Sequence, residues 1–161
     1  MIQRQPLELE ALGAFSQQFA LAIFDAMPHL QQHAWMAQSG EADGLSLDVL
    51  APSPTLDDER LMQIWVDEIG TPSIGFGPSH THDSPNAAGI SAIIDLATAI
   101  LNDQLLIIED IGGKYPGHAD WLDLRAPDAL VEELTSPYSS GRAVLKSWSG
   151  LADRAVDTEM V

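Results

Sequence analysis

The chain has 161 residues, 45% of them hydrophobic, with 24 acidic against 7 basic side chains and a formal net charge of −17. That length and apolar content suit one domain over residues 1–161 and exclude disorder for most of it. The charge excludes nucleic acid and anionic membranes as partners, because phosphates would be repelled, and the absence of cysteine excludes disulfides, thiolate metal sites and cysteine nucleophiles.

The first ten residues, MIQRQPLELE, lack an apolar core, so no signal peptide is expected. The apolar run from Ala87 to Leu101 is too short and too interrupted to span a membrane. A cytoplasmic protein is therefore the expectation.

Leu12, Phe15, Phe19, Ile23, Ala26 and Leu30 recur every three or four residues, the stripe of an amphipathic helix. Pro28 should end or kink it near Met27. Pro28 also suits the first position of a second short helix. A strand over Ala34–Gln38 is the preferred reading, because Leu45–Ala51 alternates and would pair with it across the turn SGEADG. The segment APSPTLDDER, with two prolines and three consecutive acids, reads as an exposed loop.

Leu61–Ile69 reads as a strand with Met62, Ile64 and Val66 on one face and Trp65 on the other. After a turn at Gly70–Pro72, Ile74 and Phe76 continue as a short strand on a frame of Gly75 and Gly77. Glycine inside a strand points to a bulge or to a close approach of another backbone. Pro85 and Asn86 offer a helix start, and Ile90, Ile93, Ile94, Ala97, Ile100 and Leu101 give a second stripe. Leu105–Ile108 is apolar throughout, which predicts a central strand covered on both faces.

The stretch IGGKYPGHADW reads as a loop, Ala126–Leu134 as a short helix, SPYSSG as a loop and Arg142–Trp148 as a last strand. The end from Leu151 onward, and the last eight residues above all, is polar and expected to fray. The resulting fold class is α+β: a mostly antiparallel β-sheet with an N-terminal helix and a middle helix packed on it.

His80-Thr81-His82-Asp83 is the sharpest chemical signal. Residues two apart on a strand point the same way, so His80 and His82 could grip one metal ion, completed by Asp83 or by a distant carboxylate, in a small metal-dependent hydrolase. The alternative is that the two histidines end a strand and are held by protein partners. Known spacings disfavour the metal. Gly75 lies one residue too close to His80 for a cupin motif, and Asn86 and Ala87 stand where its glutamate belongs. For a JAMM-type metalloprotease Ser91 falls one residue late and Asp95 one further out. No serine sits in a nucleophile elbow, and neither glycine loop has phosphate-loop spacing. The acid doublets Asp67-Glu68, Glu109-Asp110 and Glu132-Glu133 would point to opposite faces of a strand. No catalytic set, no metal site and no cofactor are therefore assigned. Trp65, Trp121 and Trp148 fall in or beside strands, where burial decides between core residue and partner anchor.

Two stretches carry a resemblance. Ile74–Asp83, reading IGFGPSHTHD, resembles the VGFGPxHTHF-like segment of small acidic immunity proteins of bacterial polymorphic toxin systems (Rhs, contact-dependent or type VI effectors). Leu145–Arg154 resembles the SWxGxxDR ending that can accompany it. The helix and the LLIIED strand between them come in the expected order, and Asp83 stands where that pattern has an aromatic. The resemblance implies a non-catalytic toxin inhibitor that acts by protein–protein interaction with one cognate toxin domain. Independently, the −17 charge suits masking a basic groove, such as that of a nuclease or a nucleic-acid deaminase. Asp57, Asp58, Glu59, Asp67, Glu68, Glu109 and Asp110 are the candidates for the partner face.

Overall fold

The computed structural model describes residues 3–38, 45–67 and 69–161. The chain divides into two compact units. The first comprises Met1–Pro52, Leu61–Gly75 and His80–Ala97, and the second Ser53–Arg60, Phe76–Ser79 and Thr98–Val161. The fold class is α+β, with antiparallel pairing throughout the registers of both sheets.

β1 (Arg4–Pro6), β2 (Ala34–Gln38), β3 (Leu45–Ala51), β4 (Met62–Val66), β5 (Pro72–Phe76) and β6 (Ser79–His82) form a meander, each strand beside its neighbour in sequence; their residues belong to the first unit, except Phe76 and Ser79. The register sets Met36 opposite Leu47 and Val49 opposite Ile64, so the alternating apolar residues all fall on one face and are buried. The other face carries the row Trp35, Asp48 and Trp65. Helix α1 (Ala14–Ala26) buries Phe19, Ala20 and Ile23, and its Ser16 hydroxyl accepts the Leu47 N–H at 3.3 Å. Met27 follows as the cap and Pro28 opens a 3-10 turn over Pro28–His33. The short helix and the strand weighed for this stretch are thus both present, one after the other. The hairpin turn SGEADG lies outside the described residues, while the pairing of β2 with β3 on either side of it matches the expectation.

Helix α2 (Ala87–Leu101) starts where Asn86 accepts the Gly89 N–H at 3.0 Å, an N-cap of the usual kind. Gly89 is required: a Cβ there would lie 1.8 Å from the Ser84 carbonyl oxygen. The helix buries Ile90, Ile93, Ala97, Ala99 and Ile100. Its residues up to Ala97 belong to the first unit and those from Thr98 to the second.

The second unit holds β7 (Leu105–Asp110), β8 (Ala119–Asp123), helix α3 (Ala129–Thr135), β9 (Arg142–Lys146) and β10 (Arg154–Asp157), with strand order β10-β9-β7-β8. Strand β7 is central, and Leu105, Leu106, Ile107 and Ile108 are all buried, as its unbroken apolar run predicts. Leu106, Ile108, Leu122, Leu134, Ala143, Leu145 and Val156 form one core cluster. Two readings are corrected here. The tail of IGGKYPGHADW is strand β8, paired along its length with β7. The end expected to fray supplies β10, whose Arg154–Asp157 pairs with Arg142–Leu145.

Candidate functional site

His80 and His82 lie on β6 and project to the same side, their ring centroids 5.1 Å apart and edge-on at 81°. The half-buried Trp65 ring packs against both, at 6.1 and 6.2 Å. Gly75 makes room for it: a Cβ at that position would meet the Trp65 ring at 3.3 Å. What approaches the glycine is a side-chain ring, in place of the bulge or the second backbone that a glycine inside a strand suggests.

The fold also brings Ser73, His82 and Asp67 together, a grouping that no sequence spacing announces. The Ser73 hydroxyl is 2.6 Å from His82 Nδ1, and an Asp67 carboxylate oxygen is 3.4 Å from the same nitrogen. A Ser-His-Asp relay needs serine and aspartate on opposite ring nitrogens. Here both meet Nδ1, and Ser73 is fully buried with its hydroxyl donating to the Thr71 carbonyl at 3.2 Å. The arrangement ties the β4–β5 turn to β6 rather than presenting a nucleophile. Asp67 accepts the backbone N–H groups of Ile69 (3.1 Å) and Thr71 (2.8 Å) and the Thr71 hydroxyl. Burial works to raise the Asp67 pKa, but the Thr71 hydroxyl, those N–H groups and the nearby His82 outweigh it and hold it below the usual carboxylate value. Asp83, the third member of the sequence-based metal set, turns its carboxylate to the Ser84 N–H at 2.7 Å. Among the described residues no group of three His, Cys, Asp or Glu side chains is placed to hold a metal ion.

The described acids put forward for the partner face divide between the two units: Asp67 belongs to the first, and Asp57, Asp58, Glu59, Glu109 and Asp110 to the second. Several have structural work. Asp57 pairs with Arg60 at 2.9 Å, while Glu59 and Glu109 both take the Lys146 ammonium at 3.1 Å. Asp110 accepts the N–H groups of Gly113 (2.9 Å) and Ser140 (2.8 Å) and the Ser140 hydroxyl. Asp58 is exposed, and Glu68 lies outside the described residues.

The exposed loop expected over APSPTLDDER is corrected at three positions: Ala51, Ser53 and Arg60 are buried. Arg60 donates from Nη1 to the Ser147 carbonyl and to Asp153, each at 2.9 Å, and its Nη2 pairs with Asp153 at 2.7 Å. Asp153 in turn accepts the Ser147 N–H at 2.8 Å. The Ser and the Asp of the SWxGxxDR segment therefore close a loop whose clasp is Arg60. Burial works to lower the Arg60 pKa, yet Asp153 and Asp57 outweigh it and the pKa is raised. A buried cation is tolerated here because it is paired with two carboxylates and also bonds a carbonyl.

One further feature escaped the sequence reading. A cavity of about 370 Å³ opens in the second unit, floored by the buried Ile108 and Ala143. Asp110, Asp120 and Glu133 bring carboxylates to it, and His118, Ser136 and Ser139 add polar groups. Tyr115 and Tyr138 flank it with exposed rings, centroids 6.1 Å apart and tilted by 34°. Lys114 Nζ stands over both rings, at 5.7 and 5.8 Å. Two stretches read as plain loops, IGGKYPGHADW and SPYSSG, supply these tyrosines, which are the chain's two. That coincidence is the one signal the sequence offered.

Compared with protein-family models, curated proteins and solved structures, the chain matches none of them. No helix of the described residues is long and apolar enough to cross a membrane.

Proposed function

We propose that this chain is an immunity protein: it binds a cognate bacterial toxin domain in the cytoplasm of the producing cell and blocks it by covering a basic surface or cleft, with no catalysis of its own. The observation that carries the reading is how the chain spends its few cations. Of 7 Lys and Arg side chains against 24 acids, Arg4, Arg60, Arg125 and Lys146 are committed to ion pairs with the chain's own carboxylates. The surface a partner meets is therefore overwhelmingly anionic, which speeds capture of a basic protein and repels nucleic acid competing for the same groove. Support also comes from the two segments that resemble immunity proteins. IGFGPSHTHD folds as the β5–β6 hairpin with its histidines against Trp65, and SWSGLADR folds as the Arg60-clasped loop. Blocking a cleft takes an interface of about 1,600 Å² in total.

The test is co-expression with the toxin encoded beside this gene. Growth should be rescued, and the two proteins should elute together from a sizing column in a salt-sensitive complex. A toxin that kills equally in the presence of this chain, with no complex formed, would end the reading.

A further inference from the structure

We infer that the tyrosine-flanked cavity of the second unit is a receptor for a guanidinium group, and that it takes an arginine side chain of the basic partner; this rests on the inhibitor reading above. The cavity joins three features that an arginine needs together. Its floor is apolar, formed by Ile108 and Ala143, and suits the aliphatic stem. Its walls include two phenol rings whose faces attract a planar cation. Its acids supply acceptors, and they are not equivalent. Asp110 is already saturated: burial works to raise its pKa, but the Ser140 and Gly113 donors outweigh this and hold it ionised. The Glu133 side chain makes no hydrogen bond or ion pair among the described residues, so its carboxylate is available to an incoming donor.

The chain itself shows that a cation is welcome there. The Lys114 ammonium lies within 6 Å of both tyrosine ring centroids, at 5.7 and 5.8 Å, as an internal occupant of the aromatic pair. A lysine is a compact, strongly hydrated point charge, whereas guanidinium stacks on rings and bonds a carboxylate through two parallel donors. An arginine would therefore displace Lys114 from the rings and add Glu133. Lys114 competes for the rings within the protein, so its removal should strengthen binding rather than weaken it.

The two tyrosines of the chain are both at this site, so ring-labelled tyrosine reports on it alone. Protein labelled with ¹³C-tyrosine is titrated with N-acetylarginine amide, in parallel with the lysine and citrulline amides, at constant ionic strength. Arginine should shift both tyrosine ring signals along a saturable curve, lysine should do so more weakly, and uncharged citrulline should leave them in place. Glu133→Gln should weaken arginine binding about fivefold to tenfold, and Lys114→Gln should tighten it about twofold to fivefold. Silent rings, an equal response to citrulline or lysine, or an unchanged affinity in Glu133→Gln would overturn the assignment. The outcomes separate from those of the inhibitor reading. Silent rings beside full protection from the toxin remove the cavity and leave the inhibitor. Arginine binding without protection keeps the receptor and removes the inhibitor.

Discussion

Arg60 is the residue on which most rests. It spans the Asp57 turn, the Ser147 carbonyl and the Asp153 carboxylate, and its removal leaves two acids and a carbonyl short of a donor. Asp57 and Asp153 are each about one-third exposed, so water recovers part of the loss. Arg60→Met should destabilise the second unit by about 2 kcal/mol, and Arg60→Lys by less, because a lysine keeps the charge but not the fork. Urea melts would measure this, and an unchanged midpoint in Arg60→Met would remove the clasp as a source of stability. Arg60 also illustrates the limit of local reading. Its neighbours, two prolines and three acids, are those of a solvated loop, and its partners lie 87 and 93 residues away.

At the scale of elements, the end of α2 is the most specific device. Asp103 takes a left-handed conformation (φ 54°), the Gln104 N–H bonds the Ala99 carbonyl at 2.8 Å and the Asp103 N–H bonds that of Ile100 at 3.1 Å. That is a Schellman ending with aspartate where glycine is usual. The reason is its side chain, which accepts the Ser149 N–H at 3.0 Å and the Ser149 hydroxyl. Asp103→Ala should cost about 2 kcal/mol, since it loses those bonds and keeps the unfavourable backbone, whereas Asp103→Gly should cost about half as much. Comparison of the two unfolding midpoints checks the account, and an equal loss in both would refute the backbone part. Helices α1 and α2 and the strands β2–β5, β7 and β9 were legible from periodicity and breakers. Strands β1, β8 and β10 were not. Their residues, RQP, ADWLD and RAVD, alternate poorly and carry charges, so they become strands through the hydrogen bonds of a longer neighbour.

For the whole molecule, the −17 charge sets how stability follows pH and salt. Burial works to raise the pKa values of Asp67, Asp110 and Asp153, but hydrogen bonds, with the Arg60 charge at Asp153, outweigh it and hold all three below the usual 3.8. A carboxylate depressed in the folded state stabilises above its unfolded value, and that contribution is lost as pH falls through the folded value. These three therefore contribute fully above 3.8 and lose their share below it. Asp123, held low by its hydrogen bond from Arg125, acts with them, while the net negative charge of the chain works in the opposite sense, because reducing it relieves self-repulsion. Tm should accordingly rise from pH 7 to a maximum near about pH 5 and fall steeply below about pH 4. At pH 7 added sodium chloride should raise Tm by screening the repulsion. Thermal melts across pH and salt test both statements, and a Tm that keeps climbing below pH 3 would mean that the three aspartates contribute little.

The sequence by itself determined the α+β class, the helix stripes, the buried central strand and the excess negative charge, because these depend on period, breakers and composition, which are local or additive. The same local logic placed His80 and His82 on one side of a strand. Only the tertiary structure decided what those groups meet: that His82 shares one nitrogen between Ser73 and Asp67, that Arg60 is buried, and that Tyr115 and Tyr138 converge over a cavity. Contacts between residues far apart in the chain are set by packing geometry and loop closure, and neither leaves a pattern in the neighbouring sequence.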